Sequence, residues 1–213
     1  MAHVLSLSDA SVREAAERLS KGEIIVYGCD SNYILCTNMS SASAVKRIFD
    51  LKGRAYQQAL PIIIDPRDAD PYTCMTRWQR EVVCQLLPGP ISFIVPARQI
   101  PPYINGGGET VSLVWHESQA MQQLYHAFGV HAGTSANLHG QPPPIRVEEA
   151  VAYFGEAISL YLDSGPTRYG IPNTIIDLTQ TPIALLREGP VSLQEVKRLI
   201  AERVKLARTS EYV

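Results

Sequence analysis

The sequence predicts an α/β protein in which helices cover both faces of a mixed sheet. Apolar residues alternate along the chain between helical spacing and short β-branched runs, the pattern of strands separated by helices. Three late runs follow each other without a helix between them, so both parallel and antiparallel neighbours are expected. Of the 213 residues, 46% are apolar and 19% are charged, which excludes a disordered chain and a fibre. With no repeat and no linker in the sequence, we expect one domain over residues 1–213.

Helices are predicted where apolar residues recur at three- and four-residue spacing. The first follows Ser11-x-x-Glu14, a candidate capping box, and ends at Gly22. The other predicted helices cover residues 42–51, 77–87, 119–128, 147–154 and 193–204.

Strands are predicted where short runs are rich in β-branched and aromatic residues. These runs cover residues 23–27, 60–65, 91–96, 110–115, 159–162, 174–178 and 184–187. A further short strand is expected just before Ser135.

Charge and cysteine content narrow the class of protein. Nineteen Lys and Arg against 21 Asp and Glu give a net charge of −2, which argues against a protein that coats nucleic acid. Cys29, Cys36, Cys74 and Cys84 form no C-x-x-C pair, so reduced thiols are expected. The chain starts without a signal-peptide pattern and has no apolar run near the roughly 20 residues that a bilayer requires. We therefore expect a cytoplasmic protein that does not contact membranes.

Polar residues gather in five segments at the ends of predicted strands and helices, where α/β sheets bind ligands. These segments are residues 28–35, 52–54, 134–140, 172–177 and 186–189. The sequence contains neither G-x-G-x-x-G nor a Walker A motif, and the glycines at 106–108 are interpreted as a turn. The histidines lack metal-ligand spacing, so no metal site is predicted.

Two of these segments allow two interpretations each when taken alone. Lys52-Gly53-Arg54 is either a helix end capped by glycine or a pair of cations that converge on a polyanion. Ser135 and Asn137 belong either to a turn that bonds to itself or to a phosphate- and ribose-binding loop.

Taken together, the segments resemble the YrdC/YciO family, whose best-known members are L-threonylcarbamoyladenylate synthases. The resemblance covers about residues 8–200. The segments that carry it are GCDSNYIL at 28–35, KGR at 52–54, LPGPIS at 87–92, SANLHG at 135–140, NTIID at 173–177 and LREG at 186–189.

This resemblance implies a twisted, mostly open sheet with a large concave, positively lined cavity. It also implies that ATP, bicarbonate and an acceptor such as threonine combine into a carbamoyl-adenylate with release of pyrophosphate. Lys52 and Arg54 would then hold the triphosphate as the catalytic cations. Ser135, Asn137, Asn173, Thr174 and Arg187 would bind the nucleotide, with Mg²⁺ near the phosphates. The acceptor would contact Asp30, Ser31, Tyr33, Val114 and His116.

The departures from the family pattern fall mainly on the acceptor side. Gly28-Cys29 replaces Pro-Thr, and Ile34 replaces a glycine, which leaves a motif closer to the YciO branch. Val114 stands where the family has an arginine, His116 where it has a proline, and Asn173 where it has a serine. We expect an altered acceptor pocket, made more apolar by Cys29 and Trp115, in which His116 or Arg168 is the candidate replacement cation.

Three classes of function follow from the sequence. The first is a carbamoyl-adenylate-forming nucleotidyltransferase acting on an amino acid or amine. The second is a non-catalytic relative that binds a nucleotide or RNA, although tight RNA binding is not expected. The third is a hydrolase with Cys29 as nucleophile, for which the sequence offers no evident histidine partner.

Overall fold

A mixed sheet runs through the centre of the protein, as seen in a computed structural model that describes residues 1–56 and 58–204, with side chains to residue 202. Within these residues, ten strands form one sheet in the order β1-β8-β2-β3-β7-β4-β6-β5-β9-β10. The strands are β1 (Val4–Ser6), β2 (Ile25–Gly28), β3 (Tyr33–Thr37), β4 (Ile62–Ile63), β5 (Ile91–Pro96), β6 (Thr110–Val114), β7 (His131–Ser135), β8 (Leu160–Asp163), β9 (Thr174–Asp177) and β10 (Ala184–Arg187).

The predicted mixed α/β architecture is confirmed. Neighbouring strands run parallel in the pairs β1–β8, β2–β8, β4–β6 and β5–β9. They run antiparallel in the pairs β2–β3, β3–β7, β4–β7, β5–β6 and β9–β10. Because β1 and β10 lie at opposite edges, the sheet is open and does not close into a barrel.

The helices lie close to their predicted positions. They are α1 (Asp9–Ser20), α2 (Ala42–Lys52), α3 (Arg77–Leu86), α4 (Pro102–Asn105), α5 (Gln119–Phe128), α6 (Val147–Phe154) and α7 (Leu193–Leu199). Within the described residues, no helix is long and apolar enough to span a membrane.

Two helix ends differ from the prediction. The capping box of α1 joins Ser8 and Ser11 and does not use Ser11 with Glu14, since Ser8 accepts from the Ser11 backbone and Ser11 bonds back to it. Helix α7 ends at Leu199, and a π-helical turn continues it over Ile200–Val204.

The sequence patterns do not reveal three further elements. Strand β3 lies in a segment that the sequence predicts to be a loop, because its Tyr33-Ile34-Leu35-Cys36-Thr37 run lies beside polar turn residues. Strand β1 and helix α4 have only three and four residues, too few for a recognisable period.

The side chains of strands β5 and β6 alternate between a core face and an open face of the sheet. On β5, Phe93 and Val95 are fully buried in the core, and on β6 Leu113 is fully buried too. The alternate residues Ser92, Ile94, Ser112 and Val114 point to the opposite face, where they line a cavity. Because side chains alternate along each strand, the same strands contribute to the core on one face and to the cavity on the other.

Candidate functional site

The open face of the sheet is the floor of a cavity of about 460 Å³. Seven adjacent strands, from β3 to β10 in sheet order, each contribute at least one side chain to it. One residue from each strand is Ile34, Ser135, Ile63, Val114, Ser92, Ile175 and Arg187.

Five of these residues form a row across the sheet, and the register of the last pair is shifted by an irregularity between Leu185 and Arg187. Ile63 pairs with Val114, Val114 with Ser92, Ser92 with Ile175, and Ile175 with Arg187. At roughly 4.8 Å per strand, the backbone of Arg187 lies about 14 Å from that of Val114. The middle of the row therefore contains only neutral side chains, and its one cation stands at the end.

Arginines supply the charge of the cavity. Arg54 and Arg187 line it, and no carboxylate is found among its described lining residues. Arg54 donates to the Gln58 side chain and to the Ala59 carbonyl oxygen, the latter at 3.1 Å. Such a cavity attracts anions, and two planar guanidinium groups suit phosphate oxygens in particular.

At the end of helix α2, the side chains of Arg54 and Lys52 point in different directions. Gly53 caps the helix in the left-handed conformation with φ 63°, so the glycine-capped helix end is present, but the two cations do not converge on the cavity. Arg54 reaches the cavity after this turn, whereas Lys52 is not among the cavity-lining residues. Lys52 is only 4% exposed, and its ammonium donates to the carbonyl oxygens of Ser135 and of Asn137, the latter at 2.7 Å. Burial, together with nearby Arg54, lowers the pKa of Lys52 to about 7.

The loop after β7 brings Ser135 and Asn137 to the cavity. The Asn137 side chain donates through Nδ2 to the carbonyl oxygens of Leu138 at 2.8 Å and Gln141 at 2.7 Å. Its Oδ1 is buried without a hydrogen-bond partner among the described residues. A buried acceptor in this state is free to bind a donor from a ligand.

Pro172, Asn173 and Arg187 form the opposite end of the cavity. Arg187 lines it, and its Nε donates to the Asn173 carbonyl oxygen at 2.9 Å. The Thr174 hydroxyl is turned away from the cavity and donates to the Val191 carbonyl oxygen at 2.5 Å. Thr174 therefore shapes the site through the loop that follows Arg187.

His116 and Asn173 form a neutral wall beside Val114. The Asn173 Nδ2 donates to Ser92 Oγ at 3.1 Å and to His116 Nε2 at 2.8 Å, and Ser31 bonds to the Asn173 Oδ1. His116 is 3% exposed, and burial lowers its pKa to about 4. The imidazole is therefore uncharged near neutral pH and supplies no cation to the cavity.

The other residues that the sequence assigned to the acceptor side do not line the cavity. The Asp30 carboxylate accepts from the Glu117 backbone N–H at 2.8 Å, and the Tyr33 hydroxyl donates to the Gly165 carbonyl oxygen at 2.7 Å. Arg168 pairs with Glu117 at 2.9 Å on the surface. Asp30, Ser31, Tyr33 and Arg168 are all absent from the cavity lining, so Arg168 supplies no cation to the cavity.

The sequence predicts that Trp115 and Cys29 make the cavity more apolar, and this is wrong because neither is among the cavity-lining residues. Trp115 packs edge-on against Tyr125, with ring centroids 4.9 Å apart, and does not line the cavity. Cys29 is 5% exposed, and burial raises the pKa of its thiol. A buried, protonated thiol is a poor nucleophile, which argues against the hydrolase alternative.

Several cavity residues were missed from the sequence. Asn32 and Ile34 line the cavity on the side of β3, and Ser92, Ser112 and Gln141 line it elsewhere. The alternation in ISFIVP and TVSLV could have placed Ser92 and Ser112 on the face opposite the core. No comparable signal exists for Gln141, which reaches the cavity through the fold of its loop.

Fold and site together define a class of α/β protein with an arginine-lined cavity on an open mixed sheet. The Sua5/YciO/YrdC family model, whose description reads "Telomere recombination", matches residues 17–189. The chain belongs to this family.

The similarity to individual relatives covers most of the length of this chain. A threonylcarbamoyl-AMP synthase of Pyrococcus abyssi is 30% identical over 92% of this chain and 59% of the relative, so the chain spans about three fifths of that protein's length. The structure of P. abyssi Sua5 complexed with L-threonine is 28% identical, with a TM-score of 0.88 over 95% of this chain and 62% of that one. Escherichia coli YciO shares the fold, with a TM-score of 0.84 at 21% identity over 92% of this chain and all of YciO.

Proposed function

We propose that this protein is an ATP-dependent nucleotidyltransferase that forms a carbamoyl-adenylate from bicarbonate and an amine-bearing acceptor. The observation that carries the proposal is the cavity, in which two arginines and no carboxylate among the described lining residues face a neutral floor. The chain belongs to a family with relatives named threonylcarbamoyl-AMP synthase, which supports this activity. The single sheet that underlies the whole cavity supports one domain for this chain.

The proposed reaction has two bond-forming steps. The acceptor amine attacks the carbon of bicarbonate and water is lost, which gives a carbamate. A carbamate oxygen then attacks the α-phosphorus of ATP, and the bond to the β-phosphate oxygen breaks to release pyrophosphate. Such a transfer needs positioning and neutralisation of phosphate charge more than covalent help from the protein.

Four residues of the cavity lining carry out that work. Arg54 and Arg187 neutralise the phosphates, and Ser135 and Asn137 offer oxygen atoms near them. Mg²⁺ enters with ATP as part of the substrate. Among the described residues, no three His, Cys, Asp or Glu side chains cluster as a metal site, so phosphate and neutral oxygens would bind the ion.

The acceptor pocket is proposed to favour a molecule without a carboxylate. The floor beside Val114 consists of Ile63 and Ser92, and the wall above it consists of neutral His116 and Asn173. An α-carboxylate there has hydrogen-bond donors but no dedicated cation, and desolvating an unpaired charge is unfavourable.

The test is pyrophosphate release from ATP and bicarbonate with matched acceptors. L-threonine and L-threonine amide differ only in the carboxylate, and threoninol with further amines completes the panel. We expect release that requires bicarbonate and an acceptor, with kcat/KM at least about tenfold higher for the amide than for threonine. The variant Arg54→Met should weaken ATP binding.

Two outcomes would count against the proposal. Binding of ATP without pyrophosphate release for any acceptor would favour a non-catalytic nucleotide-binding protein. Equal use of threonine and its amide would leave the reaction in place and overturn the altered pocket.

A further inference from the structure

Lys52 makes three hydrogen bonds to the segment 135–139 at the end of β7. Its ammonium donates to the carbonyl oxygens of Ser135 and Asn137, the latter at 2.7 Å. Its own carbonyl oxygen accepts from the His139 backbone N–H at 2.9 Å. One residue thus joins the end of helix α2 to three points of the segment 135–139. Of these three contacts, the two made by the ammonium depend on the lysine side chain.

The helix end favours the charge of the ammonium, whereas burial and nearby Arg54 oppose it and lower the pKa of Lys52. Lys52 is the last residue of α2, where the free carbonyl groups of the helix favour a positive charge. Its side chain is buried at 4% residue exposure, away from the cavity lining that Arg54 reaches two residues later. The two carbonyl oxygens take two of the three N–H donors of the ammonium and fix the direction of the side chain.

The loop that Lys52 holds carries two cavity residues. Ser135 and Asn137 line the cavity, and their carbonyl oxygens are the two acceptors of the ammonium. The Asn137 amide is held in turn by Leu138 and Gln141, which leaves its buried Oδ1 without a partner among the described residues.

We propose that Lys52 is a positioning residue, which holds the segment 135–141 so that Ser135 and Asn137 face the cavity. The resemblance to the family implies a direct contact with the triphosphate, and the geometry points instead to action through the loop. This inference rests on the proposed function and deepens it, but its main test requires no catalysis.

The main test is amide hydrogen exchange of the ligand-free protein. Lys52→Met removes the ammonium and retains the apolar stem, and Lys46→Met is the matched control on the exposed side of the same helix, where Lys46 pairs with Asp50 at 3.1 Å. We expect Lys52→Met to speed exchange at the His139 and Gln141 amides about tenfold or more, with no change in Lys46→Met. Unchanged exchange in Lys52→Met would overturn the proposal.

A second measurement separates action through the loop from direct contact with the nucleotide. In a mutant cycle on the dissociation constant of Mg·ATP, Lys52→Met should have little further effect once Ser135→Ala and Asn137→Ala are both present. Fully additive effects would show that Lys52 contacts the nucleotide itself and would overturn the proposal.

A third measurement needs no variant and stands if Lys52→Met fails to fold. In NMR spectra of the ligand-free wild-type protein, recorded below the pKa of Lys52, its Nζ should show coupling to the carbonyl carbons of Ser135 and Asn137. Absence of this coupling, with coupling to phosphorus after ATP is added, would overturn the proposal.

Discussion

In the proposed acceptor pocket, Val114 is the residue at which a cation would most change the choice of acceptor. It lies between Ile63 and Ser92 in the row across the cavity floor, and all three side chains are uncharged. Arg187 stands three strands away, and Arg54 is held by Gln58 and Ala59. The carboxylate of an amino acid would therefore have to compete with phosphate for an arginine.

Placing a cation at position 114 should change this preference. We expect Val114→Arg to raise kcat/KM for L-threonine about tenfold relative to L-threonine amide, because a charge-assisted pair becomes available to the carboxylate. Pyrophosphate release with the two acceptors measures the ratio. Val114→Leu is the control for a change of size, and an equal gain there would show that charge is not the cause.

Two buried histidines should make the stability of the fold depend on pH. Burial lowers the pKa of His116 and of His131 to about 4 from an ordinary value of 6.5. Between these values the unfolded chain binds a proton at each ring that the folded chain does not bind. The free energy of unfolding should therefore fall as the pH is lowered through this window, by roughly 3 kcal/mol per histidine at most.

Urea unfolding at several pH values between about 7 and 4 measures this dependence. His131→Gln removes one titrating ring and keeps a polar group beside Tyr27, so it should weaken the dependence on pH. A profile of the wild-type protein that stays flat across the window would contradict the prediction.

At the scale of elements, the turn after β10 fits against the segment before β9 with no room for a side chain. A Cβ at Gly189 would lie 2.3 Å from the Pro172 carbonyl oxygen and 2.5 Å from the Thr174 backbone nitrogen. The Gly189 N–H donates to the Thr174 hydroxyl at 3.0 Å, which holds the two segments together. The glycine is thus required for close approach of two backbone segments beside Arg187.

Gly189→Ala should destabilise the protein and disturb the arginine end of the cavity. We expect a loss of about 1–3 kcal/mol in the free energy of unfolding, together with weaker ATP binding, because backbone must move to admit the methyl group. Urea unfolding and calorimetry measure the two effects. Gly108→Ala is the control, since its Cβ would meet only the Asn105 carbonyl oxygen at 3.4 Å, and a similar loss there would contradict the explanation.

The sequence predicts elements with a clear period better than it predicts contacts between distant segments. The helices α2, α5 and α6 and the strand β5 lie within a residue of their predicted bounds, because each has a regular apolar pattern. Strand β3 was missed since its pairing with β2 and β7, and not its own composition, makes it a strand.

In the candidate site too, the sequence predicted the segments better than the contacts between them. Motif order indicated the segments that carry Arg54, Ser135, Asn137 and Arg187, and these residues do line one cavity. The local sequence could not show that the turn at Gly53 separates the two side chains. Lys52 contacts the loop after β7, and Arg54 reaches the cavity. The local sequence also could not show that Asn173 and His116 bond across 57 residues of chain.

At the scale of the whole molecule, the distribution of charge bears on the kind of partner. The net charge is −2, and the described lining of the cavity contains two cations, Arg54 and Arg187. A small anionic substrate needs no more than this. A long polyanion needs a row of cations along its backbone, which the cavity does not supply.

We therefore expect RNA to bind weakly and with a shallow dependence on salt. Two phosphate contacts to a single strand predict a slope of roughly −1.4 in a plot of log K against log salt concentration. Fluorescence anisotropy with a labelled tRNA between about 50 and 200 mM salt measures both affinity and slope. Arg54→Met with Arg187→Met is the matched variant, and it should remove most of whatever salt dependence the wild-type protein shows. Tight binding at physiological salt with a slope several times steeper would require a basic surface outside the cavity, and it would favour a nucleic-acid-binding role over the formation of a small adenylate.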